Sequence, residues 1–146
     1  MRFDLSTVKH SVGHSIDIDY VFQLEDLFIS ESFSSSEGVR IQGRLFNLYG
    51  DVYVSGNVYM KYCDECSRCL IPISDVLSFS FEHKVVDMAS DEEPDAVVAR
   101  DDFDLNDIVK DDIILFFPSK LLCGEDCKGL CSMCGVNLNQ TTCSCS

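Results

Sequence analysis

Apolar and polar residues alternate from Val39 onward and again through GDVYVSGNVYMKYC, where Val52, Val54, Gly56, Val58, Met60 and Tyr62 fall on one face. A period of two belongs to a strand with one buried side. Tyr49-Gly50-Asp51 supplies turn chemistry between the two runs, so together they are predicted to form a β-hairpin. A further run, ISDVLSFSFEHKVV, sends Leu77, Phe79 and Phe81 one way and Ser78, Ser80 and Glu82 the other. SIDIDYVF, nearer the start, is a weaker strand candidate. In DLNDIVKDDIILFF the period changes: Leu105, Ile108, Val109, Ile113, Phe116 and Phe117 recur at helical spacing. Asp104 is placed to cap that helix, Asp107 suits its first turn, and Pro118 stops it. The helix is expected to cover the apolar face of the sheet.

The fold class that follows is α+β, an antiparallel β-sheet covered by one main helix. A length of 146 residues suits one domain with a small appendage. Residues 1–122 are read as the domain and 123–146 as a cysteine-rich tail packed on it. The net charge of −14 argues against a protein that wraps nucleic acid by charge alone. Between Asp87 and Asp112 there are eleven acids against Arg100 and Lys110. MASDEEPDAVVARDD has no strong period and contains Pro94, so residues 87–104 are expected to be a mobile, solvated acidic loop, with imitation of a phosphate backbone as the sharper alternative. No apolar run approaches the ~18 residues of a membrane helix. The opening residues have no secretory pattern, which points to the cytoplasm.

Nine cysteines change the picture most. In a reducing compartment, clustered thiols serve metal or catalysis rather than a disulfide framework, and an odd number leaves one unpaired. Cys66/Cys69 and Cys131/Cys134 have the Cys-x-x-Cys spacing that turns two thiolates toward one tetrahedral ion, and Gly135 suits the turn after the second pair. Cys123/Cys127 and Cys143/Cys145 are also within ligand range of each other. Four pairs make two sites of four. Proximity favours Cys131, Cys134, Cys143 and Cys145 as a tail site closed by a short loop. Cys66, Cys69, Cys123 and Cys127 then form a long-range staple from strand end to post-helix chain. Zinc is the default ion, although iron also takes four thiolates. Cys63 is left over, either a small core residue or a replacement for Cys66 as ligand. His10, His14 and His83 stand singly and are read as surface or strand residues.

Closed four-cysteine sites leave no open position for hydrolysis, so no catalysis is expected and no small-molecule substrate. A thiol oxidoreductase would want an exposed low-pKa pair in a βαβ setting, which the hairpin before Cys66 does not provide. Arg68 and Lys128 flank the two proposed sites, where they would offset tetrathiolate charge or touch phosphate.

CSRCL from Cys66 to Leu70, the acidic loop, the DLNDIVKDDIILFFP helix and CKGLCSMCGVNLN from Cys127 to Asn139 together resemble the YceD family, the large ribosomal RNA subunit accumulation proteins. The likeness runs from about Val39 to Cys145. It implies a bacterial, cytoplasmic, non-enzymatic ribosome-biogenesis factor that supports accumulation of large-subunit ribosomal RNA. Its partner would be ribosomal RNA or a pre-ribosomal particle. The alternative is a zinc-stabilised adaptor that turns its acidic loop on a basic ribosomal protein. In the resemblance Cys66, Arg68 and Cys69 match the family's CxRC; Cys131, Cys134, Cys143 and Cys145 match the tail of its cysteine-rich branch; Cys63 departs from the usual pattern.

Overall fold

The computed structural model describes residues 1–145; Ser146, the last residue of the expected tail, lies outside them. The chain opens with β1 (Arg2–Asp4) and the single-turn α1 (Ser6–Lys9). β2 (Ser15–Phe22), β3 (Val39–Leu48), β4 (Asp51–Glu65) and β5 (Pro72–Val86) then follow one another as an antiparallel meander. The β3–β4 turn is Tyr49-Gly50, with φ of 54° and 99°. Positive φ at both central residues is the primed geometry that matches the twist of a two-residue hairpin, and it fixes the register.

That register places Ile41 opposite Val58 and Leu45 opposite Val54, and sets Phe79 opposite Val58 and Leu77 opposite Met60. One face therefore carries Val39, Ile41, Leu45, Val54, Val58 and Met60, all essentially without solvent contact. Gly43 and Gly56 lie opposite each other at the middle of the sheet, where a β-carbon on Gly43 would stand 2.1 Å from the Ser55 carbonyl oxygen. Only glycine permits so close an approach of two backbones.

α2 (Leu105–Phe116) lies across this face. It begins where expected: the Asp104 carboxylate accepts from the Asn106 N–H at 3.0 Å, satisfying one of the unpaired donors of the first turn. Leu105, Val109 and Ile113 are fully buried against the sheet, each burial contributing about 1.5–3 kcal/mol. Phe117 meets Tyr62 at 5.0 Å between ring centroids, while Phe116 stacks on Phe79 at 4.4 Å yet stays 53% exposed at the rim.

Two expectations are corrected. Cys63 is neither in the core nor near the other thiols; it is exposed, with its Sγ 3.2 Å from Ser74 Oγ. Alternation along β4 buries Tyr62 and Asp64, which turns Cys63 outward. The acidic segment is not a continuous loop. Within it, β6 (Val97–Val98) adds to β5, and β7 (Asp102–Asp104) pairs with β1. N-terminal cations meet its acids, Arg2 with Asp102 at 2.9 Å and Lys9 with Asp87. The β5–β6 pairing is parallel, so the five-stranded sheet is antiparallel except at this edge.

Two buried polar groups tie the layers together. Asn47 donates to the Val8 carbonyl at 2.8 Å and accepts from Gly50 N–H, locking α1 to the hairpin turn. Asp112, on the inner face of α2, meets His83 Nε2 of β5 at 2.8 Å. The Asp112 bond raises the pKa of His83 against the opposing effect of burial. Its folded pKa thus lies above the unfolded value of about 6.5. The sign follows: the contribution is fully present below about 6.5 and is lost as pH rises through the folded value. Replacing His83→Gln should therefore destabilise most at about pH 6, and the gap from the parent in urea unfolding should narrow toward about pH 9. A gap that widened with pH would contradict the pairing.

Candidate metal centres

The tip of the β4–β5 hairpin is built from Cys66-Ser67-Arg68-Cys69-Leu70-Ile71. Its backbone closes with Cys66 N–H on the Ile71 carbonyl at 2.9 Å and Leu70 N–H on the Cys66 carbonyl at 3.0 Å. The tail repeats this turn in Cys131-Ser132-Met133-Cys134-Gly135-Val136: Cys131 N–H reaches the Val136 carbonyl at 2.9 Å and Gly135 N–H the Cys131 carbonyl at 2.9 Å. In both turns the residue after the second cysteine has positive φ, 61° at Leu70 and 76° at Gly135. The geometry frees N–H groups to point at the first sulfur.

Onto the first turn the post-helix chain brings two more thiols. Cys66 Sγ lies 3.8 Å from Cys127 Sγ, and Cys69 Sγ lies 3.6 Å from Cys123 Sγ. All four sulfurs are within 4.8 Å of one another. The second turn gathers Cys143 and Cys145 in the same way, with Cys143 Sγ 3.2 Å from Cys131 and 3.4 Å from Cys134. A tetrahedral ion with bonds of ~2.3 Å sets its sulfurs ~3.8 Å apart. The first group matches that spacing and the second is somewhat tighter. Every cysteine is a free thiol. Both groups could hold a metal ion.

Surroundings differ. Cys66, Cys69 and Cys127 are buried in a small second core with Ile71, Ile73, Leu122 and Leu130, while the tail group is half exposed. Ser67 N–H donates to the Leu121 carbonyl at 2.7 Å, and Arg68 Nη1 donates to the Cys127 carbonyl at 3.0 Å. Arg68 thus bridges the two chain segments that supply the first group. Lys128 is exposed. Its backbone N–H donates to Asn139 Oδ1 at 2.8 Å, and Asn139 Nδ2 in turn donates to Cys127 Sγ at 3.3 Å. Asn139, from the tail loop, was not singled out in the sequence; an asparagine carries no ligand spacing to reveal it.

Crowding splits the thiol acidities. Burial opposes ionisation of Cys66, but N–H groups of Cys69, Arg68 and Cys123 outweigh it and hold the pKa down to about 6. At Cys131, the N–H groups of Cys134 and Met133 likewise bring it to about 6. Cys123 is pushed up to about 12 by its neighbours Cys127 and Cys69. At Cys143 the Cys145 N–H works the other way, yet Cys131 and Cys134 push it up to about 12. Each group can release a first proton easily and a last one only with great difficulty. A dication at the centre removes that conflict, because it favours every thiolate at once.

A match to the family described as "Large ribosomal RNA subunit accumulation protein YceD" covers residues 54–146. The chain belongs to the YceD family. Among curated relatives, uncharacterised proteins of Mycobacterium tuberculosis and Mycobacterium bovis are each 30% identical over 132 residues, covering 81% of this chain and 64% of the relative. One of Mycobacterium leprae is 26% identical over 106 residues, covering 68% of this chain and 49% of the relative. The chain thus spans about half to two thirds of the length of these relatives. No solved structure matches it. No helix among the described residues is long and apolar enough to cross a membrane.

The geometry separates the nine thiols by consequence. Cys69→Ser should remove one equivalent of metal and, since metal binding at such sites is folding free energy, lower Tm by more than about 10 °C. Cys63→Ser, on the exposed face, should keep the full metal content and shift stability by no more than about 0.5 kcal/mol. Elemental analysis and thermal melts of the two proteins test this; metal lost from Cys63→Ser and kept in Cys69→Ser would overturn the ligand set.

Proposed function

We propose that this chain is a non-catalytic cytoplasmic factor supporting accumulation of large-subunit ribosomal RNA, folded around two structural zinc ions. The observation that carries the reading is the family match over the whole cysteine-bearing part of the chain, residues 54–146, together with two converging groups of four thiols. Cys66, Cys69, Cys123 and Cys127 would hold one ion, and Cys131, Cys134, Cys143 and Cys145 the other. Zinc fits best because four thiolates in tetrahedral reach suit an ion without redox chemistry or directional preference. Saturated this way, neither ion keeps a position for water or substrate, which supports a structural role. The bound ions would supply charge neutralisation and cross-linking. Among the flanking cations, Arg68 is committed to Cys127, whereas the exposed Lys128 is the one available to phosphate.

Protein prepared without chelator should carry close to two zinc ions per chain by elemental analysis, with no visible absorption; iron with colour, or no metal, would sink the zinc assignment. In cells lacking the gene, the ratio of large- to small-subunit ribosomal RNA should fall and be restored by the parent gene but not by the Cys69→Ser form. An unchanged ratio would remove the functional reading.

A further inference from the structure

Beside the first cysteine group runs a cleft of about 490 Å³, between the C-terminal half of α2, the β2–β3 connection and the hairpin tip. Phe28, Leu70 and Ile114 line it while 76%, 55% and 54% exposed. Three large apolar residues left open to water around one cleft are not a folding device. Drawn from three separate segments of the chain, they mark a surface that meets a partner.

Leu70 points the same way independently. Its φ of 61° is the conformation that Gly135 occupies in the matching tail turn. Leucine there is strained where glycine would not be, and Leu70 does not pack into the small core around the cysteines. Strain accepted at one position, with the side chain held out into a cleft, marks a displayed anchor.

Charge identifies the occupant. The cleft lining contains the exposed Glu65 and the buried Asp64, whose carboxylate accepts from Ser30 and Ser32, and no cation. The β2–β3 connection, residues 23–38, carries Glu25, Asp26 and Glu31 with no Lys or Arg, its Glu37 being paired with Lys61, and the whole chain carries −14. Phosphate is repelled by such a rim; Lys and Arg are drawn to it. We propose that this cleft binds a basic segment of a protein, with apolar side chains seated on Phe28, Leu70 and Ile114 and its cations on the acidic rim. This rests on the ribosomal reading only for where the segment is met, since proteins that bind ribosomal RNA carry the Lys and Arg that phosphate demands.

The test measures fluorescence anisotropy of a short labelled peptide of lysine, arginine and leucine with the zinc-loaded full chain, against a second peptide in which serine replaces each leucine at unchanged charge. The leucine peptide should bind at least about ten-fold more tightly. Leu70→Gly should keep its zinc and melt no lower than the parent, because the strain is relieved, yet lose that advantage. Ile114→Ser should lose it too. Equal binding of the two peptides, or retention of the advantage in both variants, would overturn the proposal. So would Leu70→Gly melting well below the parent, which would make Leu70 a packing residue. A single-stranded oligouridine whose binding is lost in Leu70→Gly would reassign the cleft to nucleic acid. These outcomes are independent of the ribosomal RNA ratio, so the cleft and the cellular role fail separately.

Discussion

Repulsion among sulfurs is the constraint around which the molecule is arranged. Two groups of four thiols are held within 4.8 Å, and without a central cation the thiols of a group cannot all ionise. The first group gathers its members from the β4–β5 tip and from the chain just past α2, segments 54 to 61 residues apart in sequence. The positions of Leu121, of Arg68 on the Cys127 carbonyl and of the last turn of α2 all follow from that junction. Sheet and helix supply the area that buries the core; the thiol junction decides where the helix's exit is fastened.

The part of the chain matched by the family begins at residue 54, inside β4. The sheet does not begin there. β3 pairs along β4 from Asp51 to Met60, and β2 pairs along β3 from Ser15 opposite Phe46 to Phe22 opposite Val39. Removing the first third would expose a long β4 edge and half of the apolar face that α2 covers.

What the sequence revealed tracks how local each determinant is. Alternation in β4, the Tyr49-Gly50 turn, the Asp104 cap and the four cysteine spacings each depend on a few neighbouring residues, and each is visible in the structure. Cys63 was legible as well, since the alternation that buries Tyr62 turns the next residue out. The pairing of His83 with Asp112, the locking of α1 by Asn47 and the donation from Asn139 to Cys127 join residues far apart in sequence, and no period announces them. β6 and β7 have two and three residues, too few to show a period. The exposed leucine at positive φ is detectable only by laying CSRCL over CSMCG.

Sulfur spacing also sets how the protein ages. Neighbouring thiols stand 3.2–3.8 Å apart, and a covalent S–S bond is about 2.05 Å. A bound ion would keep them separate and occupied. Once it leaves in air, a small inward movement makes a cross-link that no longer accepts metal, so loss of the ion in oxidising conditions is a one-way step until a reductant intervenes. The half-exposed tail group is the first to be reached by oxidant, and the buried group at the hairpin tip the last.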